Sequence, residues 1–309
     1  MWFLTAGSKI KLSEITINML IKKHSSFYLR NGWPTKCINA VSDNEFVFSP
    51  NAEHEAVDEL GVGRVMVKAM RYWMSVLGLS VEVHNPRGVN THLTDLAKLI
   101  SENDIYCQKM GTLWVLHRNL ATNIDNATAW YWGFNEYNEP TFSKETFSDG
   151  FEAFLMANGN SYTRKAIEQE FDCFKNTYLS NKEFDISRIL DEDTVAFFAP
   201  LKLIKPSGKD EYEKNPTHYS AIPVEVLLYC IITDNSDFLA NNKQISFDAI
   251  RYETNQVGCY FNLSDSSLMM LLQIAENHGY IKLFNNFGSR YIEFLDRDAL
   301  GYLRKYYGQ

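Results

Sequence analysis

Apolar residues recur every three to four positions along most of this chain, in segments bounded by Gly, Pro, Ser and Asn. That spacing predicts a mainly helical protein. In "SPNAEHEAVDELG", Ser49 or Asn51 is placed to cap a helix that turns Ala56, Val57 and Leu60 inward and stops at Gly61. "VGR" reads as a tight turn. The following helix runs from Arg64 to Leu77, with Gly78 as its stop. At about 100° per residue, Met66, Met70, Trp73 and Leu77 share one face, and Arg64, Lys68 and Arg71 share a nearly opposite one. Two helices joined by a short Gly-containing turn form a helix-turn-helix pattern. Its second helix is the one that enters a DNA major groove. A solvated basic face is the plainer alternative.

Further along, "THLTDLAKLISEN", "GTLWVLHRNLA", "SKETFSDGFEAFLMANG" and "SYTRKAIEQEFDCFKNTYL" keep the helical period, with Ser143 and Ser161 as N-caps. The run "AWYWGFNEY", Ala129 to Tyr137, suits an aromatic core, and alternatively a stacking surface for unpaired bases. A Pro-led helix from Pro223 to Thr233 is followed by a short one near Ser246 to Tyr252. A third helix is capped by Ser264 and stopped at Gly279, and an alternating stretch turns at Asn285 to Ser289. Helices followed by a hairpin predict a winged-helix pattern. Its would-be recognition helix has no Lys or Arg between Asp265 and Asn277, which favours contact with protein over DNA.

Two stretches rich in turn residues, Val83 to Asn90 and Lys205 to Pro223, suggest boundaries. The expectation is an α+β chain, mainly α with small β-hairpins. Residues 1–95 form a helix-turn-helix, winged-helix-like DNA-binding domain, 96–205 a helical middle, and 206–309 a C-terminal winged-helix-like domain.

The net charge of -8 argues against a surface that is basic all over. Residues 1–36, however, hold six bases, Lys22, Lys23 and Arg30 among them, against Glu14 alone. Residues 139–193 carry twelve acids against six bases, so any nucleic-acid face belongs to the N-terminal third. No apolar run approaches the ~20 residues of a membrane span, and the N-terminus lacks a secretory pattern. Five scattered cysteines, with no CxxC, fit a reducing cytoplasm rather than a disulfide frame or zinc ribbon.

Reaction signatures are sparse. GxGxxG, GxxxxGK[ST], HExxH and GxSxG are absent. His84, Asn90 and His92 suggest a His/Asn/His nuclease constellation, with a polar loop as the plainer alternative. Glu53 to Glu55 and Asp191 to Asp193 are carboxylate clusters that could serve Mg²⁺ or Mn²⁺, or act as helix N-terminal acids.

"HSSFYLRNGWPTK", "FSPNAEHEAVDELGVGRVMVKAMRYW", "TLWVLHRNLA" and "AWYWGFNEY" together resemble successive motifs of a bacterial family of formerly unknown function. That family is found in DNA phosphorothioation gene clusters, beside PAPS-reductase-like enzymes, and includes DNA-nicking subunits of Ssp-type single-strand systems. The likeness runs from about residue 22 onward. The chain departs from the pattern after His24, where Ser25 and Ser26 stand in place of an acid and Thr. The resemblance implies a partner of a cysteine desulfurase, a sulfurtransferase and an ATPase. Such a partner binds double-stranded DNA and nicks one strand, with Mg²⁺ or Mn²⁺ as the metal if one is needed. Motif positions carried over are His24, Arg30, Trp33, Gly61, Gly63, Val67, Arg71, Trp73, His117 and Arg118. His24 and Arg30 are then placed to flank a phosphate, as acid/base and charge clamp. His117 and Arg118 serve either as a second catalytic pair or as satisfied interior groups. Arg64, Lys68, Arg71, Lys22, Lys23 and Arg30 are the expected DNA contacts. A non-catalytic adaptor and a transcriptional regulator of the cluster are the alternatives, and a homodimer is left open.

Overall fold

Pro34 sits in the first turn of α1 (Trp33–Asp43), where its missing N–H removes nothing from the helix. The computed structural model describes residues 19–86, 88–179, 196–286 and 288–309; the acidic run Asp191 to Asp193 lies outside them. A 3-10 turn at Pro50–Ala52 leads into α2 (Glu53–Leu60). Gly61 then reverses the chain at φ 65, a conformation that favours glycine, and α3 (Arg64–Val76) follows. Neither Ser49 nor Asn51 caps α2: its N-cap is Ala52, with no side-chain hydrogen bond. The Ser49 hydroxyl instead accepts from the Val89 amide, 3.4 Å away on a strand.

That strand belongs to the hairpin β1 (Ser80–Asn85) and β2 (Gly88–Leu93), paired antiparallel with Val83 opposite Asn90. The stretch expected as a first boundary is therefore a hairpin turn. The second is one too: β4 (Ile204–Gly208) and β5 (Glu211–Lys214) pair across it, with β3 (Thr141–Ser143) on the far side of β5. Pro, Gly and Asn mark any chain reversal, so composition alone cannot tell a linker from a hairpin. The middle is accordingly not purely helical. Its helices are α4 (Asp95–Asp104), α5 (Met110–Ala121), α6 (Thr128–Asn135), α7 (Lys144–Ala157) and α8 (Arg164–Tyr178). Ser143 caps α7 in a capping box with Thr146, as its position suggests, whereas α8 is capped by Thr163 rather than Ser161.

The aromatic run is core. All of α6 is buried, and its rings meet those of α7 and α8: Trp132 lies 4.9 Å from Phe147, and Phe134 lies 5.5 Å from Phe174. No ring of Trp130, Tyr131, Trp132 or Phe134 is left for an unpaired base, which corrects the stacking alternative.

The C-terminal third runs α9 (Val224–Asp234), α10 (Ser236–Asn241), β6 (Gln244–Ser246), α11 (Phe247–Tyr252), α12 (Val257–Tyr260) and α13 (Asp265–Asn277). The hairpin β7 (Ile281–Asn286) and β8 (Ser289–Phe294) follows, then α14 (Ala299–Tyr307). Ser264 caps α13 as its sequence predicts, and β8 lies between β6 and β7. The last helix returns to the first half, where Tyr306 Oη accepts from the Gly111 amide at 2.9 Å. One hydrophobic cluster runs from Met19 to Leu303. Among the described residues no helix is long and apolar enough to cross a membrane.

Candidate nucleic-acid interface

The amphipathic period of α3 decides what it hides. Met70, Trp73 and Leu77 are buried and Met66 partly so, which leaves the basic stripe outward. Arg64 and Lys68 are 56% and 68% exposed. Glu53, in the first turn of α2, reaches both across the Gly61 turn: it lies 3.8 Å from Arg64 and 3.6 Å from Lys68. His54 Nε2 lies 3.1 Å from Arg64 as well. The "EHE" acids are thus a helix start favoured by the dipole, with Glu53 also facing the basic stripe.

Arg71 is held differently. Its Nε and Nη2 donate to the two oxygens of Glu82 on β1, at 2.5 and 2.6 Å. Both side chains are more than two-thirds buried, and the hydrogen bond to Glu82 holds the guanidinium proton more tightly than usual. The pair ties the hairpin to α3.

The other side of the hairpin is occupied by the α1–α2 loop. Glu45 accepts from Asn90 at 2.8 Å and lies 3.4 Å from His92, and its carbonyl accepts from Thr91. In this register His84 pairs with Val89 and His92 with Val81. Alternation therefore sends His84 to the face opposite Asn90 and His92, which separates the suggested His/Asn/His constellation.

His24 lies behind α3. It is 1% exposed, stacks on Trp73 with ring centres 6.3 Å apart, and meets Tyr72 and Trp130 edge-on. Trp73 is half a turn around α3 from the basic stripe, so the structure does not bring His24 to Arg64 and Lys68. The Ser26 amide donates to Nδ1, and Nε2 lies 3.0 Å from the carboxylate of Glu170 on α8. Glu170 is itself 2% exposed and also accepts from the Lys22 amide. Lys22, Ser25 and Ser26 all have left-handed φ, of 62, 51 and 65. Three such residues in one short loop are strained, and the packing around His24 holds them there. Glu170 escaped sequence reading, although it had a signal: it shares a buried helical face with Ile167, Phe171 and Phe174.

The Lys22 and Lys23 side chains are exposed at this loop. Arg30 is partly buried, its guanidinium 5.5 Å from the Trp33 ring centre and near Phe27 and Tyr28.

His117 and Arg118 are neighbours in sequence that face different interior partners, linked through Tyr260. His117 is 0% exposed, and its Nε2 lies 2.7 Å from the Tyr260 carbonyl, which can only accept. The proton therefore sits on Nε2, and Nδ1 accepts from Tyr178 Oη at 2.8 Å. Burial pulls the pKa down to about 4, so the ring is neutral. Arg118 Nε donates to Asp234 at 2.8 Å, Nη2 to the same oxygen and Nη1 to Asn119. Asp234, 2% exposed, also accepts from Tyr260 Oη at 2.5 Å. Asp234 escaped notice as the last residue of an apolar helix.

All five thiols are unpaired, and burial raises the pKa of each. Among the described residues no three His, Cys, Asp or Glu side chains converge on a point that could hold a metal ion.

Residues 21–307 match the family described as "Protein of unknown function (DUF4007)". The chain belongs to the DUF4007 family. No curated protein matches it significantly in sequence. Two solved structures share its fold. One is titled "Magnesium ion-bound SspB crystal structure" and is 23% identical with a TM-score of 0.80; the other, "SspB crystal structure", is 22% identical with a TM-score of 0.78. Each alignment covers 93% of this chain and 88% of the other. The DUF4007 match begins just before His24, so the buried His24–Glu170 pair, the α3 stripe and the His117 and Arg118 networks all lie inside the family region.

Proposed function

We propose that this DUF4007 protein is the DNA-binding component of a bacterial DNA phosphorothioation and anti-phage defence system, and that it nicks one strand to open the backbone for sulfur incorporation. The fold it shares with SspB supports the assignment. The observation that carries it is the exposure of Arg64 and Lys68 on α3, the second helix of a helix-turn-helix. Three helices α1, α2 and α3 followed by the β1–β2 hairpin support a winged-helix reading, in which the hairpin is the wing and α3 the recognition helix. Lys22 and Lys23 are exposed as well, on the loop beside His24, and with Arg30 they are the further DNA contacts of this reading. The C-terminal elements from α9 to β8, with helices ahead of a terminal hairpin, support the reading of a second winged helix. Its base-free α13 suits a protein partner, the sulfurtransferase or the ATPase, in the cytoplasm.

Mg²⁺ is the first metal to supply, because one similar structure is of magnesium-bound SspB. Among the described residues no three-ligand set is present. Purified protein with supercoiled plasmid and Mg²⁺ or Mn²⁺ is expected to yield open-circular DNA; intact plasmid at every concentration removes the enzymatic half. Arg64→Ala with Lys68→Ala is expected to weaken binding uniformly across sequences. It also lowers the slope of log K against log salt by about 2, roughly one unit for each phosphate that the helix no longer neutralises. An unchanged slope refutes binding through α3.

One observation favours a second reading, a non-catalytic adaptor. His117 and Arg118 are occupied internally, and His24 is sealed behind α3. Co-purification with the sulfurtransferase and ATPase, without cleavage, is its signature.

A further inference from the structure

Arg71 carries a bidentate carboxylate in the place where a DNA-binding helix would offer its guanidinium to a phosphate. The fork of Nε and Nη2 on Glu82 Oε1 and Oε2, at 2.5 and 2.6 Å, is the geometry in which Arg grips two phosphate oxygens. Glu53 stands in the same relation, more loosely, to Arg64 and Lys68, at 3.8 and 3.6 Å. The three cations of α3 therefore face two of the chain's own carboxylates, and these come from two other elements, α2 and β1. Asp58 and Glu59, the nearer acids in sequence, have no part in it. Glu53 lies across the turn and screens side chains that stay exposed. Glu82 is different, because it takes up both donors of the Nε–Nη2 edge of Arg71, so a phosphate that grips the guanidinium through that edge has to displace it.

Resting on the reading that α3 meets DNA, we propose that Glu82 is an internal phosphate substitute. It occupies Arg71 in free protein and yields it to a backbone phosphodiester on binding. Affinity for arbitrary duplex is thereby held down, and the full interface forms only where DNA seats deeply enough between α3 and the β1–β2 hairpin to displace the carboxylate. The ligand class is a DNA backbone phosphate, and the competing group is a carboxylate 11 residues further along the chain.

The test measures binding of a 20-base-pair duplex of arbitrary sequence to the full chain by fluorescence anisotropy across a salt series. The proteins are wild type, Glu82→Gln, Arg71→Ala, the double variant, and Arg64→Ala/Lys68→Ala. Thermal melting confirms that each is folded. With Arg71 present, Glu82→Gln is expected to tighten binding about tenfold at low salt, because no carboxylate has to be displaced before Arg71 reaches a phosphate. With Arg71→Ala in place, the same change is expected to give no more than about a twofold gain, from relief of long-range repulsion. Equal gains in the two backgrounds overturn the proposal, since they mean that Glu82 acts only as a distant charge. A second measurement does not depend on Glu82→Gln folding. The Arg71 Nε–H resonance of wild type, assigned by its disappearance in Arg71→Ala, is expected to shift when duplex is added; a resonance unmoved in the bound state also overturns it. If wild type binds, and Arg64→Ala/Lys68→Ala weakens that binding while the two gains are equal, only the role of Glu82 fails. If no variant binds duplex, the α3 reading fails and the proposal with it.

Discussion

Lowering the pH from 7.5 to 5 is expected to destabilise this protein through His117. The ring is fully buried, and burial sets its folded pKa at about 4. In the unfolded chain the value is the ordinary one, near 6.5. A histidine with a depressed folded pKa contributes stability that is complete above the unfolded value and is lost as pH falls toward the folded one. Between those limits the unfolded state binds a proton that the folded state refuses. From these two pKa values the loss by pH 5 is about 2 kcal/mol, and by pH 4 about 3 kcal/mol. Isolating the contribution requires a partner without the titration. His117→Gln keeps a donor for the Tyr260 carbonyl but leaves Tyr178 Oη without its acceptor. At pH 7.5 it is expected to cost about 1–3 kcal/mol. Urea denaturation of both proteins at pH 7.5 and pH 5 then reads the effect. The stability gap between them should narrow by about 2 kcal/mol at the lower pH, because the variant no longer refuses a proton. A gap of the same size at both values refutes the burial argument. DNA binding by folded His117→Gln is expected to match wild type, because the ring has no surface to offer.

Two further substitutions probe the other interior polar groups. Glu170→Ala removes the carboxylate that lies 3.0 Å from Nε2 of His24 and leaves the Lys22 amide without its acceptor inside an aromatic shell. Its expected cost is about 2–4 kcal/mol, and hydrogen exchange should speed up first in the loop from Lys22 to Phe27. Arg118→Ala leaves Asp234 as a buried, unmatched carboxylate and should cost about 3–5 kcal/mol in urea denaturation. Arg118→Met with Asp234→Leu, which removes both charges, should cost much less; a larger loss in the pair than in the single variant contradicts this account.

The sequence by itself determined where most of the helices run and which faces they bury. A period near 3.6 and the caps at Ser143 and Ser264 are properties of neighbouring residues, and α3 with its inward Met70, Trp73 and Leu77 follows from them. The outward direction of Arg64, Lys68 and Arg71 was equally local. What became of those cations was not. Arg71 is clamped because β1 folds back and delivers Glu82, and Glu53 reaches Arg64 and Lys68 only because Gly61 turns α2 toward α3. The same limit hid Glu170 and Asp234, whose partners lie 146 and 116 residues away in the chain. It also left His117 and Arg118 open between catalysis and packing. Adjacent on one helix, they meet different interior partners, His117 the Tyr178 hydroxyl and the Tyr260 carbonyl, Arg118 the Asp234 carboxylate that the Tyr260 hydroxyl also reaches, none of them nearby in sequence. Periodicity reports which way a side chain points. Only the tertiary fold decides what it meets there, because charge pairing and burial act across space rather than along the chain.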